Sequence, residues 1–346
     1  MNYQILFYTL GWIFNFQAIF LLLPSIVALV YRESSGWCFL ITAAVTGIIG
    51  VALTIKKPKN TQFHSREGFV LVALGWVLMS LIGAVPMWIS GAIPNYADAV
   101  FETVSGITTT GATILSSVEA MPNCVNFWRC FSNWIGGMGV VVFMMTILPA
   151  IGSNGSMYLM RAESPGPSFG KLVPKLKKTA MLLYGMYIGM TLIQLILLLC
   201  GGLDFFDSLC VSIATAGTGG FGIKDDGFSG YSTYVQIVVT IFMFLFGVNF
   251  KFYFLLLMKK FKEAFMIEEV IWYTILFGAA TLLITIDIFP LIGTIGGSLK
   301  HSAFQVASIM TTTGFATVDF NQWPIFAQTI LLILMFVGAC AGSTGG

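Results

Sequence analysis

The chain has 346 residues, 57% of them apolar and only 9% charged, with 17 basic and 15 acidic side chains, a formal net charge of +2 and a mean hydropathy of +0.89. A water-soluble domain carries about 25% charge, so this composition excludes an ordinary soluble enzyme, a disordered chain and a nucleic-acid binder, and leaves an integral membrane protein. The 37 glycines and long apolar runs point to an all-α polytopic bundle rather than a barrel, whose strands would read as short alternating segments.

Apolar runs of about 20 residues, enough to cross a bilayer, are predicted near 4–30, 36–55, 68–90, 126–151, 179–201, 232–258, 268–290 and 322–341. The first has no basic segment before it and is long enough to span, so it reads as a transmembrane helix and not as a cleaved leader. After 68–90, 179–201 and 268–290 come stretches rich in Thr, Gly and Ser that are too short and too polar to cross. Lys56, Lys57, Lys59 and Arg66 follow the second span; Arg161, Lys171, Lys175, Lys177 and Lys178 follow the fourth; Lys259, Lys260 and Lys262 follow the sixth. All three clusters share a side if each Thr/Gly stretch dips into the membrane and returns, and the positive-inside rule makes that side, with the N-terminus, cytoplasmic. Arg129 and Lys300 then read as minority charges on the outer side, and Asp287 as a solvated residue at the outer end of its span. The six cysteines have no metal-ligand or redox spacing, so they predict neither a disulfide framework nor a metal site.

An internal repeat emerges when the Thr/Gly stretches are aligned. ADAVFETVSGITTTGAT from Ala97, FDSLCVSIATAGTGGFG from Phe206 and KHSAFQVASIMTTTGFA from Lys300 superpose without gaps, with Gly111, Gly220 and Gly314 in one column. Asp98, Asp207 and His301, 13 residues earlier in each copy, suit a helix start. Each copy reads as span, half-helix, Thr/Gly loop, span. Irregular backbone survives at membrane depth only where it is buried in protein or lines a water-filled path. A half-helix that enters from outside aims its partly negative C-terminal end at the membrane middle, which favours a cation. The loop after it can offer carbonyl oxygens in place of the cation's water shell, and glycine permits the backbone angles this needs. Thr108, Thr109, Thr110, Thr311, Thr312 and Thr313 add hydroxyls without charge. The absence of acidic residues within the loops fits a monovalent cation better than a divalent one.

These residues, with FWRCFSNWIGGMGVVVF at 127–143, ILPAIG at 147–152, YLMRAESPGPSFGKLVPKLKKTA at 158–180 and GACAGSTGG at 338–346, resemble the Trk/Ktr/HKT superfamily of potassium transporters, and within it the bacterial TrkH-type subunits. The resemblance runs over essentially the whole chain. It implies repeated span–pore-loop–span units around a pseudo-fourfold pore, preceded by two extra helices, in a homodimer surrounded by lipid in the bacterial inner membrane. Divided accordingly, 1–66 holds the two extra helices, 67–178 the first repeat with its cytoplasmic loop, 179–267 the second and 268–346 an incomplete third. The family has a fourth repeat, which the resemblance therefore implies to be missing from this chain. Carried over, potassium would be held at Thr109, Thr110, Gly111, Thr218, Gly219, Gly220, Thr312, Thr313 and Gly314. The second loop departs from the family's Thr-Thr-Thr-Gly pattern. The run Gly342, Ser343, Thr344, Gly345 and Gly346 matches the intramembrane gating loop, its plainer reading being a small-residue helix-packing stripe.

The implied activity is potassium uptake through a carbonyl-lined selectivity filter, with potassium as cargo and no organic cofactor. The implied partner is a cytosolic TrkA-type nucleotide-binding ring; no nucleic-acid partner is expected. A sodium-permeable or cation-coupled relative, or a non-transporting fragment, is the alternative; many sodium-selective plant relatives have Ser at the first-repeat glycine, and Gly111 is glycine. An enzyme is disfavoured, since HExxH, GxSxG and paired intramembrane acids are all missing. Asn249 is read three ways, as pore lining, as a bond to a neighbouring helix or as a snorkelling residue.

Overall fold

A computed structural model of the chain describes residues 2–58, 65–137, 139 and 176–345, and among these there is no strand. The chain divides into two compact units, Met1–Thr108 with Ala112–Tyr184, and Thr109–Gly111 with Gly185–Gly346.

The first unit opens with α1 (Tyr3–Tyr31) and α2 (Gly36–Thr54), both apolar on all faces as membrane helices are. They pair through glycine: a Cβ on Gly11 would lie 2.9 Å from the Gly50 carbonyl oxygen, and one on Gly50 would lie 2.8 Å from that of Gly11. Gln17, buried in α1, donates to the Met79 carbonyl (2.8 Å) of α3 (Ser65–Ile89), which gives its amide nitrogen an acceptor that lipid cannot. Two shorter helices come next, α4 (Tyr96–Ile107) and α5 (Asn123–Gly137). The Trp128 indole on α5 donates to Gly83 O (3.0 Å) on α3, and Gly83 faces Thr103 of α4 so closely that a Cβ would sit 2.9 Å from its methyl. Glu33 accepts from the Asn123 and Cys124 amides (2.7 and 3.0 Å), which gives the N-terminus of α5 its anion. Within the run predicted at 126–151, residues beyond Gly137 lie outside the described ones except Gly139, whose carbonyl accepts from Tyr184 (2.8 Å).

The first unit ends inside α6 (Leu176–Cys200), and the second, from Gly185, continues through α7 (Phe205–Ala216), α8 (Thr233–Phe246), α9 (Phe250–Leu257), the single-turn α10 (Phe261–Phe265), α11 (Glu268–Ile292), α12 (Ile295–Met310), a 3-10 turn at Phe320–Gln322 and α13 (Ile325–Val337). Among the described residues five helices, α1, α2, α3, α6 and α11, are long and apolar enough to cross a membrane, six if α8 and α9 count as one span. At 12 residues α4 and α7 are about 18 Å long, too short for a hydrocarbon core of about 30 Å. They are half-helices, as the repeat predicts.

Four expectations need correction. The apolar run 232–258 is not one span: α8 and α9 meet at 90°, and Asn249 begins α9 as its N-cap, accepting from the Lys251 amide (2.9 Å). The run 322–341 is helical only to Val337, because Gly338 at φ 69° turns the chain into a loop. The helix starts are capped by Asn95 and Asp204, whose extended backbone lets the side chain accept from a first-turn amide; Asp98 and Asp207 lie inside the first turn, and His301 is in mid-helix because α12 starts earlier, after Thr294. Asp287 is half-buried and accepts from the Ala327 amide (3.0 Å), so it serves the N-terminus of α13.

Candidate functional site

The three half-helices α4, α7 and α12 end in one alignment column, at Ile107, Ala216 and Met310. Each next residue, Thr108, Gly217 or Thr311, closes the helix by donating its amide to the carbonyl four residues back, at Val104, Ile213 or Ala307. Beyond that closing residue one backbone conformation recurs three times. Thr109, Thr218 and Thr312 have φ of 54°, 49° and 59°, and Gly111, Gly220 and Gly314 have φ of 74°, 77° and 83°. A β-branched residue in the left-handed region costs about 1–3 kcal/mol and persists only where its surroundings enforce it. Three threonines in the same column share that cost. Their alternation with a left-handed glycine two places on is the kind of backbone that turns successive carbonyls the same way.

The loops also stand side by side. A Cβ on Gly111 would collide with the carbonyl oxygen of Gly219, and one on Gly220 would collide with that of Thr313. Gly219 and Thr313 occupy the same column, immediately before the glycine. The glycine of one repeat therefore abuts the preceding carbonyl of the next, twice by the same relation, as rotation about a common axis requires. The middle loop is enclosed, with Thr218 and Gly219 buried, while Thr110, Thr312 and Gly314 are exposed. All nine predicted residues, 109–111, 218–220 and 312–314, are thus brought together.

The threonine hydroxyls spend their protons inside the protein. Thr108 donates to Val104 O (2.7 Å), Thr311 to Ala307 O (2.7 Å) and Thr312 to Thr311 O (2.6 Å). Each oxygen keeps only lone pairs, and the buried Thr311 turns one of them to the Thr313 hydroxyl (2.7 Å). The single Thr218 hydroxyl proton has Gly217 O (2.8 Å) and Thr344 O (2.7 Å) in reach, and the contact with Thr344 ties the second loop to the 338–345 segment.

That segment is bonded to the break between α8 and α9. A helix end leaves four carbonyls without helical partners, a heavy cost at membrane depth. Here each one is met. Phe244 O accepts from the Tyr273 hydroxyl (3.1 Å) and Leu245 O from that of Tyr253 (2.6 Å). Phe246 O accepts from the Thr344 amide and hydroxyl (3.2 and 3.1 Å), and Gly247 O from the Cys340 amide (3.0 Å). In return the Phe250 amide donates to Gly342 O (3.0 Å). Gly345 lies close enough to the end of α12 that a Cβ would sit 3.0 Å from Thr311 O. Gly342, Ser343, Thr344 and Gly345 form a bonded loop beside the second and third Thr/Gly loops, whereas Gly346 lies outside the described residues, as does most of the basic connector 152–178.

Two features went unread in the sequence. Arg129, expected as an outer minority charge, is 2% exposed and paired at 2.7 Å with Glu102, 0% exposed, in α4. Glu102 further accepts from the Thr113 hydroxyl (2.9 Å) and the Ile114 amide (3.2 Å), two and three residues past Gly111. Arg129 also donates to Asn126 Oδ1 (3.1 Å) and to the Thr113 hydroxyl oxygen (3.4 Å). Opposite charges isolated in apolar segments are the available signal, since such charges at membrane depth pair with one another. The second feature is Glu269 in the first turn of α11: one carboxylate oxygen accepts from the Ala341 amide and the other from Asn249 Nδ2 (3.0 Å). Asn249 thus bonds a neighbouring helix while it caps its own.

A family profile described as TrkH, cation transport protein, matches residues 36–346. The Trk system potassium uptake protein TrkH of Escherichia coli is 33% identical over 349 residues, spanning 94% of this chain and 69% of that protein. Its counterpart in Halomonas elongata is 30% identical, spanning 100% and 73%. An uncharacterised cation transporter of Methanocaldococcus jannaschii is 32% identical over 97% of this chain and 68% of its own length. Among solved structures, the crystal structure of the potassium transporter TrkH from Vibrio parahaemolyticus superposes with a TM-score of 0.86 at 27% identity, covering 100% of this chain and 72% of that one. The profile covers most of the chain, the relatives reach 30% identity or more along most of their own length, and the solved structure shares the fold: the chain belongs to the TrkH family of cation transport proteins, a family of transporters and not of enzymes.

Proposed function

We propose that this chain carries potassium inward across the bacterial inner membrane, with the carbonyls of 109–111, 218–220 and 312–314 as arcs of its selectivity filter. The observation that carries the reading is the repeated contact in which Gly111 abuts Gly219 O and Gly220 abuts Thr313 O. The Gly219 and Thr313 carbonyls, set in one alignment column and related by the same contact, can replace a cation's water shell without introducing a charge that would trap the ion. Each half-helix adds the partial negative charge of its C-terminal end. The 338–345 loop acts as the gate on the cytoplasmic side, the basic segments are cytoplasmic with the N-terminus, and a nucleotide-binding ring of the TrkA type regulates a homodimer. The Lys56–Lys57 and Lys259–Lys262 clusters support that sidedness, and the names of the relatives support the cargo. The division at 67–178, 179–267 and 268–346 rests on the same repeat.

Gly111→Ser tests the filter. A side chain there needs left-handed backbone and meets the Gly219 carbonyl, an overpacking cost of about 1–3 kcal/mol that displaces a filter oxygen. Rubidium uptake measured in competition with sodium, in a bacterium lacking its own potassium uptake, is expected to lose preference for rubidium. Unchanged preference at normal expression removes Gly111 from the filter.

A further inference from the structure

We infer that Glu269 is a positioning residue that clamps the 338–345 loop onto the break between α8 and α9, so that the loop leaves its place only as this clamp opens. The inference rests on the proposed role of the loop as a gate and adds the element that holds it. The carboxylate bridges two chain segments with its two oxygens, Ala341 N on one and Asn249 Nδ2 on the other. The first bond is to a main-chain amide of the loop. The second is to the residue whose other amide atom, Oδ1, caps α9 through the Lys251 amide. Glu269 therefore joins the loop of the third repeat to the right-angled turn of the second, from the first turn of a third element, α11.

The break and the loop depend on each other. Two of the four carbonyls that end α8, those of Phe246 and Gly247, take their bonds from Thr344 and Cys340, and the amide of Phe250 takes Gly342 O. If the loop withdraws, these groups lose their partners together in an environment where water does not substitute freely. The cheapest replacement is the helical bond each would make were α8 and α9 continuous. Loop withdrawal is thus coupled to a change at the α8–α9 bend, with Glu269 and Asn249 at the joint. An ionised acceptor on a main-chain amide makes a stronger bond than a neutral one, so the carboxylate favours the state with the loop in place.

Cys340 reports on the clamp because it precedes Ala341 and is 3% exposed. The full chain in membranes, treated with N-ethylmaleimide and analysed by mass spectrometry for modification at Cys340, is compared as wild type, Glu269→Gln and Glu269→Ala. Glu269→Ala is expected to raise the Cys340 rate about tenfold or more, the population change that accompanies loss of a charge-assisted hydrogen bond. Glu269→Gln, close in shape and retaining one acceptor oxygen, falls between. Cys210, 0% exposed in α7, is the control and keeps its rate. An unchanged Cys340 rate in both variants overturns the inference; so does an equal rise in both, which would mean that loss of the Glu269 charge had only made the neighbouring thiol more reactive, and so does a rise at Cys210 in step with Cys340, which would mean general loosening. The thiol measurement involves no ion. A chain that proved unselective for rubidium over sodium would sink the filter reading and leave the clamp result standing.

Discussion

Five places into the aligned segment the first repeat has Glu102, the second Val211 and the third Gln305. Around Glu102 the chain leaving the first loop is held by an ion pair with Arg129 and by bonds to Thr113 and Ile114. Around Val211 the chain leaving the second loop is held by apolar packing: Phe221, Phe228 and Phe315 line one small pocket with it, and the Phe228 ring packs at a tilt against Phe315 (4.5 Å between centroids) and Tyr231 (5.0 Å). The backbone angles of the two loops agree to within 5° at both left-handed positions. The same strained conformation is thus enforced once by directional electrostatics and once by shape. The supports also differ in reach. The first is confined to its own repeat, whereas Phe228 N donates to Ala316 O (2.9 Å), so the second and third loops brace one another.

The largest effect is expected where the charge is. Arg129→Met leaves Glu102 buried without its cation, which costs about 3–5 kcal/mol by the precedent of broken buried pairs. Removing both charges, with Glu102→Gln beside Arg129→Met, costs less, because no uncompensated ion remains. Thermal unfolding in detergent should rank wild type above the double variant and the double variant above the single one. A single variant as stable as wild type would mean that the ion pair is no brace.

The sequence made the periodic parts of this molecule legible. Long apolar runs located α1, α2, α3, α6 and α11, and the gap-free repeat located the three loops to the residue, because each depends on local composition or on a pattern copied along the chain. The α8–α9 bend was hidden. Residues 232–258 are apolar throughout, and what breaks the helix is a set of partners almost 100 residues away, Cys340, Gly342 and Thr344. Glu102 and Glu269 were missed because a carboxylate gains its meaning here from Arg129, Thr113, Asn249 and Ala341, none of which is near it in sequence. The Glu, Val, Gln column was nevertheless in view, and read downwards it states that the three loops are held differently.

A smaller effect separates two threonines that share one backbone conformation. Thr218→Val keeps the shape but takes the donor from the buried Thr344 carbonyl, a loss of about 1–3 kcal/mol. Thr312→Val stands in the same column, but its hydroxyl donates to the adjacent Thr311 carbonyl and the residue is exposed. The unfolding midpoint should fall further for Thr218→Val, and Thr218→Ser should recover most of the difference. Equal losses would show that the bond to the 338–345 loop contributes nothing.

The smallest and most discriminating change is Phe228→Leu. The leucine still fills an apolar site and keeps apolar contact with Tyr231 and Phe304, so the loss is mainly the aromatic part of the contact with Phe315, about 0.5–1.5 kcal/mol beyond burial. Expression and overall stability should change little. The local effect should nevertheless fall on two loops, since Phe228 packs on the aromatic ring of the third while its amide bonds the Ala316 carbonyl there. Amide hydrogen exchange resolves this, because it reads the opening free energy of each segment separately. Segments 218–228 and 311–318 should exchange faster together, and segment 112–118, held by Glu102 and Arg129, should keep its wild-type rate. Faster exchange in 112–118 to the same degree would show one support shared by all three loops, and an unaffected 311–318 would show that the second and third loops are not braced through Phe228.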